Sequence, residues 1–162
     1  GNENEDASAL NISDHLWLAR WLMHRLSEDM NIHISHDNKP IKGDWNGAGL
    51  HTNFSTKPMS NYANGINAIN EAIDRLSKKH AIHIECYGDK LEERLTGQHE
   101  TSSIQDFSAG VGNRGSSIRI PRQVEINGSG YLEDRRPGAN ADPYLISMIL
   151  IATICDAEIK TL

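Results

Sequence analysis

The stretch that decides how this sequence folds is Gly130-Tyr131-Leu132-Glu133-Asp134-Arg135-Arg136-Pro137. In an extended strand, successive side chains point to opposite faces of the sheet. Tyr131, Glu133 and Arg135 therefore share one face. A glutamate beside an arginine combines a ligand for a divalent cation with a clamp for an anion, as phosphoryl-transfer sites do. The stretch predicts a strand with one chemically active face.

A second strand is predicted upstream, at Ser117-Ile118-Arg119-Ile120-Pro121. Ile118 and Ile120 point one way and Arg119 points the other. An arginine on a core strand must be paired, and a bound anion is a natural partner. The sequence Asn-Gly-Ser-Gly at residues 127–130 is typical of a hairpin connection to the next strand.

A third strand, residues 50–55, follows a glycine-interrupted turn at residues 44–49. Its alternation places His51 on the face opposite Phe54. The His51 imidazole and the Glu133 carboxylate can hold one divalent cation, with their ligand atoms about 4 to 5 Å apart. The alternative is that His51 is a structural histidine, the more frequent role of a single histidine.

Other elements surround these strands. Ser13 or Asp14 can cap a first helix, whose apolar stripe predicts a face packed on the core. A second helix is predicted at residues 65–87, and Asp142-Pro143 opens a third that is apolar on nearly all sides. The stripe of the first helix consists of Leu16, Ala19, Leu22, Met23, Leu26 and Met30, widened by Trp17 and Trp21. Residues 32–36 alternate like a strand, whereas residues 89–115 read as a long loop or short elements.

Length and composition exclude several classes of protein. The 162 residues correspond to one domain, with residues 1–12 expected as a mobile acidic lead-in and residues 13–162 as the folded part. A net charge of -6 has the wrong sign for binding nucleic acid. The longest apolar stretch, residues 144–155, is shorter than the ~20 residues that cross a bilayer, and no signal peptide is recognised. With two cysteines and no disulfide framework, we expect the cytosol and no membrane.

Two further clusters of side chains combine residue types that can carry chemistry. The spacing His80-x-x-His83-x-x-Cys86 spreads its side chains around a helix, which argues against a zinc site. Arginines crowd the glycine-rich second half, as suits phosphate or carboxylate recognition, although a solvated face with scattered ion pairs is an equal alternative for any one of them. They are Arg94, Arg114, Arg119, Arg122, Arg135 and Arg136.

Four segments, residues 46–55, 94–101, 117–122 and 130–137, resemble successive signatures of eukaryotic-type glutamine synthetase in order and spacing. The first reads Asn-Gly-Ala-Gly-Leu-His-Thr-Asn-Phe-Ser and the second Arg-Leu-Thr-Gly-Gln-His-Glu-Thr. The resemblance extends from about Asp14 to Cys155. It implies the C-terminal part of the catalytic domain, of class α+β, with an antiparallel sheet forming one wall of the active site and helices packed behind it.

The resemblance also implies a reaction and its residues. The reaction joins ammonia to the side-chain carboxylate of glutamate through γ-glutamyl phosphate, and it uses ATP with Mg²⁺ or Mn²⁺. By resemblance, His51 and Glu133 bind the metal, and Ser55, Arg119 and Tyr131 contact the nucleotide. Asn46, Gly47, Arg94 and Arg135 correspond to glutamate-binding positions. Arg114 and Arg119 correspond to groups that meet the transferring phosphate, and Glu100 to a flap carboxylate that shields the intermediate from water.

The family's N-terminal β-grasp domain and three further metal-binding glutamates have no counterpart in this sequence. We therefore expect no activity from the chain by itself. We also expect association, either into the family's decamer-like rings or with full-length synthetase, through strand edges at residues 50–54 and 118–120 and the helix at residues 144–155. One alternative is a catalytically silent subunit that co-assembles with full-length synthetase. Another is an anion- or nucleotide-binding module unrelated to amide synthesis.

Overall fold

Four short strands form the sheet in the computed structural model, which describes residues 8–157. They are β1 (Thr52–Phe54), β2 (Ala109–Val111), β3 (Ile118–Ile120) and β4 (Leu132–Asp134). The strand order is β1-β4-β3-β2, so β4 lies inside the sheet. Glu133 of β4 is opposite Asn53 on one side and Arg119 on the other.

Five helices accompany this sheet within residues 8–157. They are α1 (Ala9–Met30), α2 (Gly65–Lys78), α3 (His80–Cys86), α4 (Arg122–Asn127) and α5 (Pro143–Ile154), and a 3₁₀ turn spans Leu91–Glu93. Helix α5 packs against α1, α2 and α3. The predicted helix at residues 65–87 is thus interrupted at Lys79 into α2 and α3.

The core lies between one face of the sheet and the helices. Ile118 of β3 and Leu132 of β4 are fully buried there. They belong to one apolar cluster with Ile69 of α2 and Ile149 of α5. The predicted α+β class, with helices behind the sheet, is confirmed. Among the described residues, none of the helices combines the length and apolar character needed to cross a bilayer.

The sheet is mixed rather than antiparallel. Its β1–β4 and β3–β4 pairs are antiparallel, but β2 runs parallel to β3. Strand β2 is one short element in the region predicted to be a long loop or short elements. Because β2 and β4 cover both sides of β3, the edge expected at residues 118–120 is paired, and the expectation of an exposed edge there was wrong.

The predicted hairpin connection at residues 127–130 is also corrected. Helix α4 occupies most of the interval between β3 and β4. Gly128 has φ 66° and ends that helix in the left-handed conformation, a common role for glycine after a helix. Residues 32–36 belong to no strand, contrary to the sequence prediction.

The first helix begins earlier than the sequence predicted. The Ser8 hydroxyl accepts a hydrogen bond from the Asn11 backbone N–H at 3.2 Å and so caps α1, whereas Ser13 donates to the Ala9 carbonyl within the helix at 2.8 Å. Residues 9–12 are therefore helical and not part of a lead-in. The rest of the expected lead-in, residues 1–7, lies outside the described residues, as do residues 158–162.

Helix α1 buries a polar stripe and exposes its apolar one, the reverse of the prediction. Its buried residues are Ser13, Arg20 and Ser27. The Arg20 Nη2 donates to the carbonyls of Ala139 and Ala141 at 2.8 and 2.9 Å, which explains why this side of the helix faces inward. We call the exposed set the apolar face of α1; it comprises Leu10, Ile12, Trp17, Leu18, Trp21, Leu22, Met23, Leu26 and Met30.

Candidate active site

Glu133 is the centre of a charged cluster on the face of β4 that points away from the core. Arg119 donates from Nη1 to Glu133 Oε2 at 2.9 Å, and Arg135 donates from Nη1 to Oε1 at 3.2 Å. His51 Nδ1 lies 3.3 Å from Oε1. The Glu133 side chain is only 11% exposed, so these partners replace most of its water.

Strand alternation places these side chains as the sequence predicted. On β3, Ile118 and Ile120 are buried while Arg119 remains part-exposed on the other face. On β4, Glu133 faces Arg119 across the sheet, and Leu132 packs into the core. Alternation sets the face of each side chain, and the β3–β4 register then brings Arg119 and Glu133 together.

The electrostatics of the cluster favour an ionised Glu133 beside a neutral His51. Burial by itself would raise the pKa of Glu133, but the hydrogen bond from Arg119 and the charge of Arg135 hold it below its ordinary value. Burial and the charges of Arg135 and Arg94 lower the pKa of His51, and Glu133 offsets only part of this. A neutral imidazole keeps a nitrogen lone pair, which is what a metal ligand requires.

Arg135 also joins the cluster to the loop that carries Glu100. Its Nε donates to the Arg114 carbonyl at 3.0 Å and its Nη2 to the Glu100 carbonyl at 3.3 Å. The Glu100 carboxylate in turn lies 3.3 Å from Arg114 Nη1, and both of these side chains are more than half exposed. Glu100 and Arg114 therefore stand at the rim of the site, above the buried Glu133.

The backbone at Glu100 has an uncommon conformation. His99 and Glu100 have φ values of 52° and 60°, in the left-handed region that non-glycine residues seldom adopt. The Thr101 N–H donates to the Gln98 carbonyl at 3.1 Å and closes this tight turn. Such conformations persist only where surrounding contacts hold them.

Arg94, one of the predicted glutamate-binding residues, is buried and contacts backbone carbonyls. It is 4% exposed, and its Nη2 donates to the carbonyls of Arg135, Arg136 and Pro137 at 3.0, 2.5 and 3.0 Å. Burial and the charge of Arg135 lower the pKa of Arg94 to about 10. In this structure Arg94 braces the chain that leaves β4.

The loop that contains Asn46 and Gly47 packs against the Arg94 side chain. A Cβ on Gly47 would lie 2.5 Å from Arg94 Cγ and 2.6 Å from the Asn38 carbonyl, so only glycine fits. The Ala48 N–H donates to the same Asn38 carbonyl at 2.8 Å. Asn46 is exposed beside this contact.

Ser55 and Tyr131, the two expected nucleotide contacts besides Arg119, lie at one end of the β1–β4 pair. The Ser55 hydroxyl donates to the Gly130 carbonyl at 2.7 Å, which ties the end of β1 to the start of β4. Tyr131 follows and is 42% exposed. The structure thus brings these two positions together, at the strand end away from Arg135.

Comparison with curated proteins identifies the relatives of this chain. Three of them are named glutamine synthetase: that of Panulirus argus is 58% identical over 150 residues, that of Saccharomyces cerevisiae 54% over 150, and that of Emericella nidulans 55% over 146. The chain is a homologue of the glutamine synthetases. The matches cover 90 to 93% of this chain but only 40 to 41% of those proteins, so it spans about two fifths of their length. No family model matches the sequence.

The resemblance to glutamine synthetases implies a site for a divalent cation. The chemistry of His51 and Glu133 fits part of such a site. A neutral imidazole and an ionised carboxylate, 3.3 Å apart, are suitable donors. Their separation is shorter than the about 4 to 5 Å predicted from the sequence, because the two side chains contact each other directly. Within residues 8–157 no group of three or more histidine, cysteine or acidic side chains could hold a metal. A cation at this place would take at most these two side chains of the described residues as ligands.

Sequence reasoning missed a second ionic cluster of this glutamine synthetase homologue, on the core face of β4. Asp134 is fully buried and pairs with the equally buried Arg136 at 2.6 Å, and Tyr87 donates to the same carboxylate at 2.7 Å. The signal was present, because alternation places Asp134 and Arg136 on the face opposite Glu133, where a carboxylate needs a partner.

Proposed function

We propose that this chain forms one wall of a glutamine synthetase active site, for the ATP-dependent ligation of ammonia to glutamate through γ-glutamyl phosphate. The observation that carries the proposal is the convergence of Arg119, Arg135 and His51 on Glu133. The cluster combines two candidate cation ligands, His51 and Glu133, with two arginines, a residue type suited to binding phosphate and carboxylate groups. Phosphoryl transfer needs both, because charge spreads over the phosphate oxygens in the transition state.

The cation and nucleotide come first in the proposed mechanism. Bound Mg²⁺ or Mn²⁺ would neutralise charge on the phosphates of ATP. His51 and Glu133 would hold it, and the part-exposed Arg119 would donate to the transferring phosphate. Ser55 and Tyr131, at the far end of β1 and β4, are proposed to contact the nucleotide.

The amino-acid substrate is proposed to bind beside the Arg135 end of β4. Asn46 and the Gly47 backbone border that region, and Arg135 supplies a cation for a carboxylate. Arg94 is proposed to contribute chiefly by bracing residues 135–137, since its Nη2 already contacts three carbonyls.

Glu100 and Arg114 are proposed to protect the acyl phosphate from hydrolysis. The acyl phosphate must react with ammonia and not with water. The exposed Glu100 carboxylate favours the ammonium ion and can accept its proton, and the loop that carries it can exclude water. Arg114, paired with Glu100, would meet the transferring phosphate as the loop closes.

We propose that the 162-residue polypeptide by itself has no turnover and that it associates. Its described part offers only two side chains for the cation, which leaves phosphate charge uncompensated. The exposed apolar face of α1 supports association, either with copies of itself in a ring or with longer synthetase subunits. The same observation favours the second candidate, a catalytically silent subunit. The cytosol is the proposed compartment for either.

Calorimetric titration with ATP and Mg²⁺, with and without a glutamate analogue, tests the site assignment. We expect binding that the analogue strengthens, and its loss in Glu133→Gln. Glu125→Gln, on an exposed position of α4, is the matched control and should bind as the unsubstituted chain does. Binding that Glu133→Gln leaves unchanged would place the nucleotide elsewhere. Binding that ignores the glutamate analogue would favour an unrelated nucleotide-binding module.

A further inference from the structure

Behind the proposed active site, the core face of β4 carries a directional chain of hydrogen bonds. Tyr87 must donate to Asp134, because an ionised carboxylate only accepts. The Tyr87 oxygen then accepts from His83 Nδ1, which lies 2.5 Å away. Burial, with the charge of Arg136, lowers the pKa of His83 to about 3, so the ring is neutral and its Nε2 accepts from Thr153 at 2.8 Å.

The neighbouring His80 is held in the opposite tautomer. Arg136 Nη1 lies 3.0 Å from His80 Nδ1, and a guanidinium nitrogen can only donate. His80 Nδ1 is therefore the acceptor, and its Nε2–H donates to the Ile104 carbonyl at 2.9 Å. The ring also packs edge-on against Phe107, with centroids 5.8 Å apart.

Ile104 closes the loop that carries Glu100. Its N–H donates to the Leu95 carbonyl at 2.9 Å, and Thr96 pairs with Ser103 just inside this closure. We call residues 95–104 the Glu100 loop. At its tip, the Glu100 carbonyl accepts from Arg135.

The Glu100 loop is thus attached to consecutive residues that follow β4. Arg135 reaches its tip from the site face. Arg136 reaches its closing residue from the core face, through the His80 ring. Because Asp134 holds Arg136 by hydrogen bonds of 2.9 and 2.6 Å, the position of the guanidinium is fixed by the strand.

We propose that His80 is a positioning residue for the Glu100 loop. Its ring transmits the position of the Asp134–Arg136 pair to Ile104 and so sets where Glu100 stands relative to Arg135. The catalytic consequence rests on the proposed function, in which Glu100 guards the intermediate. The coupling of His80 to the loop does not rest on it.

Two variants of the full chain separate positioning from general stability. His80→Phe keeps a ring but loses both hydrogen bonds. His80→Gln keeps one acceptor and one donor on a single amide. His33→Phe, at an exposed position, is the control for adding a phenylalanine.

Hydrogen exchange of backbone amides, with no ATP or glutamate present, is the measurement. We expect His80→Phe to speed exchange of the Glu100 loop about tenfold or more relative to α2 and α5, as loss of buried hydrogen bonds predicts. His80→Gln should restore most of the protection. Unchanged exchange of the loop in His80→Phe, or equal acceleration throughout the core, would overturn the proposal.

A second measurement uses the unsubstituted chain, so it does not require that His80→Phe folds. Nitrogen-15 resonances of the imidazole should show His80 protonated on Nε2 and His83 protonated on Nδ1. A His80 ring protonated on Nδ1 could not accept from Arg136 and would also overturn the proposal. Failure to bind ATP would contradict the proposed function and leave both of these results standing.

Discussion

Glu133 and Asp134 are neighbours on β4, and their carboxylates pair with different arginines on opposite faces of the sheet. Glu133 contacts Arg119 and Arg135 in the candidate active site. Asp134 is fully buried against Arg136, whose charge and hydrogen bonds hold the Asp134 pKa below its ordinary value although burial alone would raise it. One strand therefore carries the charged cluster of the candidate site on one face and a buried ion pair on the other.

The buried ion pair should dominate stability. We expect Asp134→Asn to lower the free energy of unfolding by about 3 to 5 kcal/mol, because Arg136 would keep an uncompensated buried charge. Urea unfolding monitored by circular dichroism measures this. Glu125→Gln, on the exposed side of α4, should change it by less than about 0.5 kcal/mol. A loss below about 1 kcal/mol in Asp134→Asn would show that the pair contributes little.

Stability should fall as pH decreases from 6.5. The pKa of His83 is about 3 in the folded chain against 6.5 as the ordinary value, so the unfolded state binds the extra proton throughout this interval. Its contribution is complete above pH 6.5 and is lost progressively toward pH 3, with a slope of up to about 1.4 kcal/mol per pH unit.

Unfolding titrations between about pH 5 and 6.5 avoid most of the carboxylate contribution, because carboxylates titrate mainly below that range. Burial also lowers the pKa values of His36, His51 and His80, so the contribution of His83 is the difference in slope between the unsubstituted chain and a His83 variant. His83→Gln retains a donor toward Tyr87 and an acceptor toward Thr153 but does not titrate. We expect a clearly smaller slope in this variant. Equal slopes in the two proteins would mean that His83 is not held neutral by its surroundings.

Gly47 should tolerate no side chain. We expect Gly47→Ala to destabilise the chain by about 1 to 3 kcal/mol, since its Cβ would overlap Arg94 and the Asn38 carbonyl. Thermal unfolding gives the comparison. Gly115→Ala is the matched control, because the nearest atom to its new Cβ, Asn113 Oδ1, lies at an ordinary 3.4 Å. Equal melting temperatures for the two variants would refute the close packing of Arg94.

The 162-residue chain should self-associate through the apolar face of α1. Sedimentation velocity at micromolar concentrations should show species larger than 18.0 kDa. Leu18→Glu combined with Leu22→Glu should shift the distribution toward the monomer, because charges oppose burial of that face. The control is His24→Glu on the same helix. A single monomeric species of the unsubstituted chain at all concentrations would contradict this prediction.

Sequence reasoning predicted what depends on local alternation. The faces of Arg119 and Glu133 follow from neighbouring residues, and the structure has them as expected. The orientation of α1 was wrong because its apolar periodicity does not reveal that Arg20 reaches two carbonyls more than a hundred residues away. Periodicity identifies a helix but does not say which side finds a partner.

Contacts between distant segments could not be predicted for the same reason. Strand β2 has little strand character of its own and forms by pairing with β3. The three carbonyls that Arg94 contacts lie about forty residues downstream. Residues 127–130 were predicted to be a hairpin connection, but Gly128 ends helix α4 with a φ of 66° instead.

If this chain forms one wall of a glutamine synthetase active site, as we propose, it should be able to replace the matching part of a relative. The most direct measurement is ATP-dependent glutamine formation by a chimaera, in which the matched residues of this chain replace their counterparts in the Saccharomyces cerevisiae glutamine synthetase. We predict an active chimaera whose activity falls about a hundredfold or more with Glu133→Gln, since charge neutralisation at the phosphates would be lost. A chimaera that folds and assembles like its parent but forms no glutamine under conditions where the parent does would contradict the account.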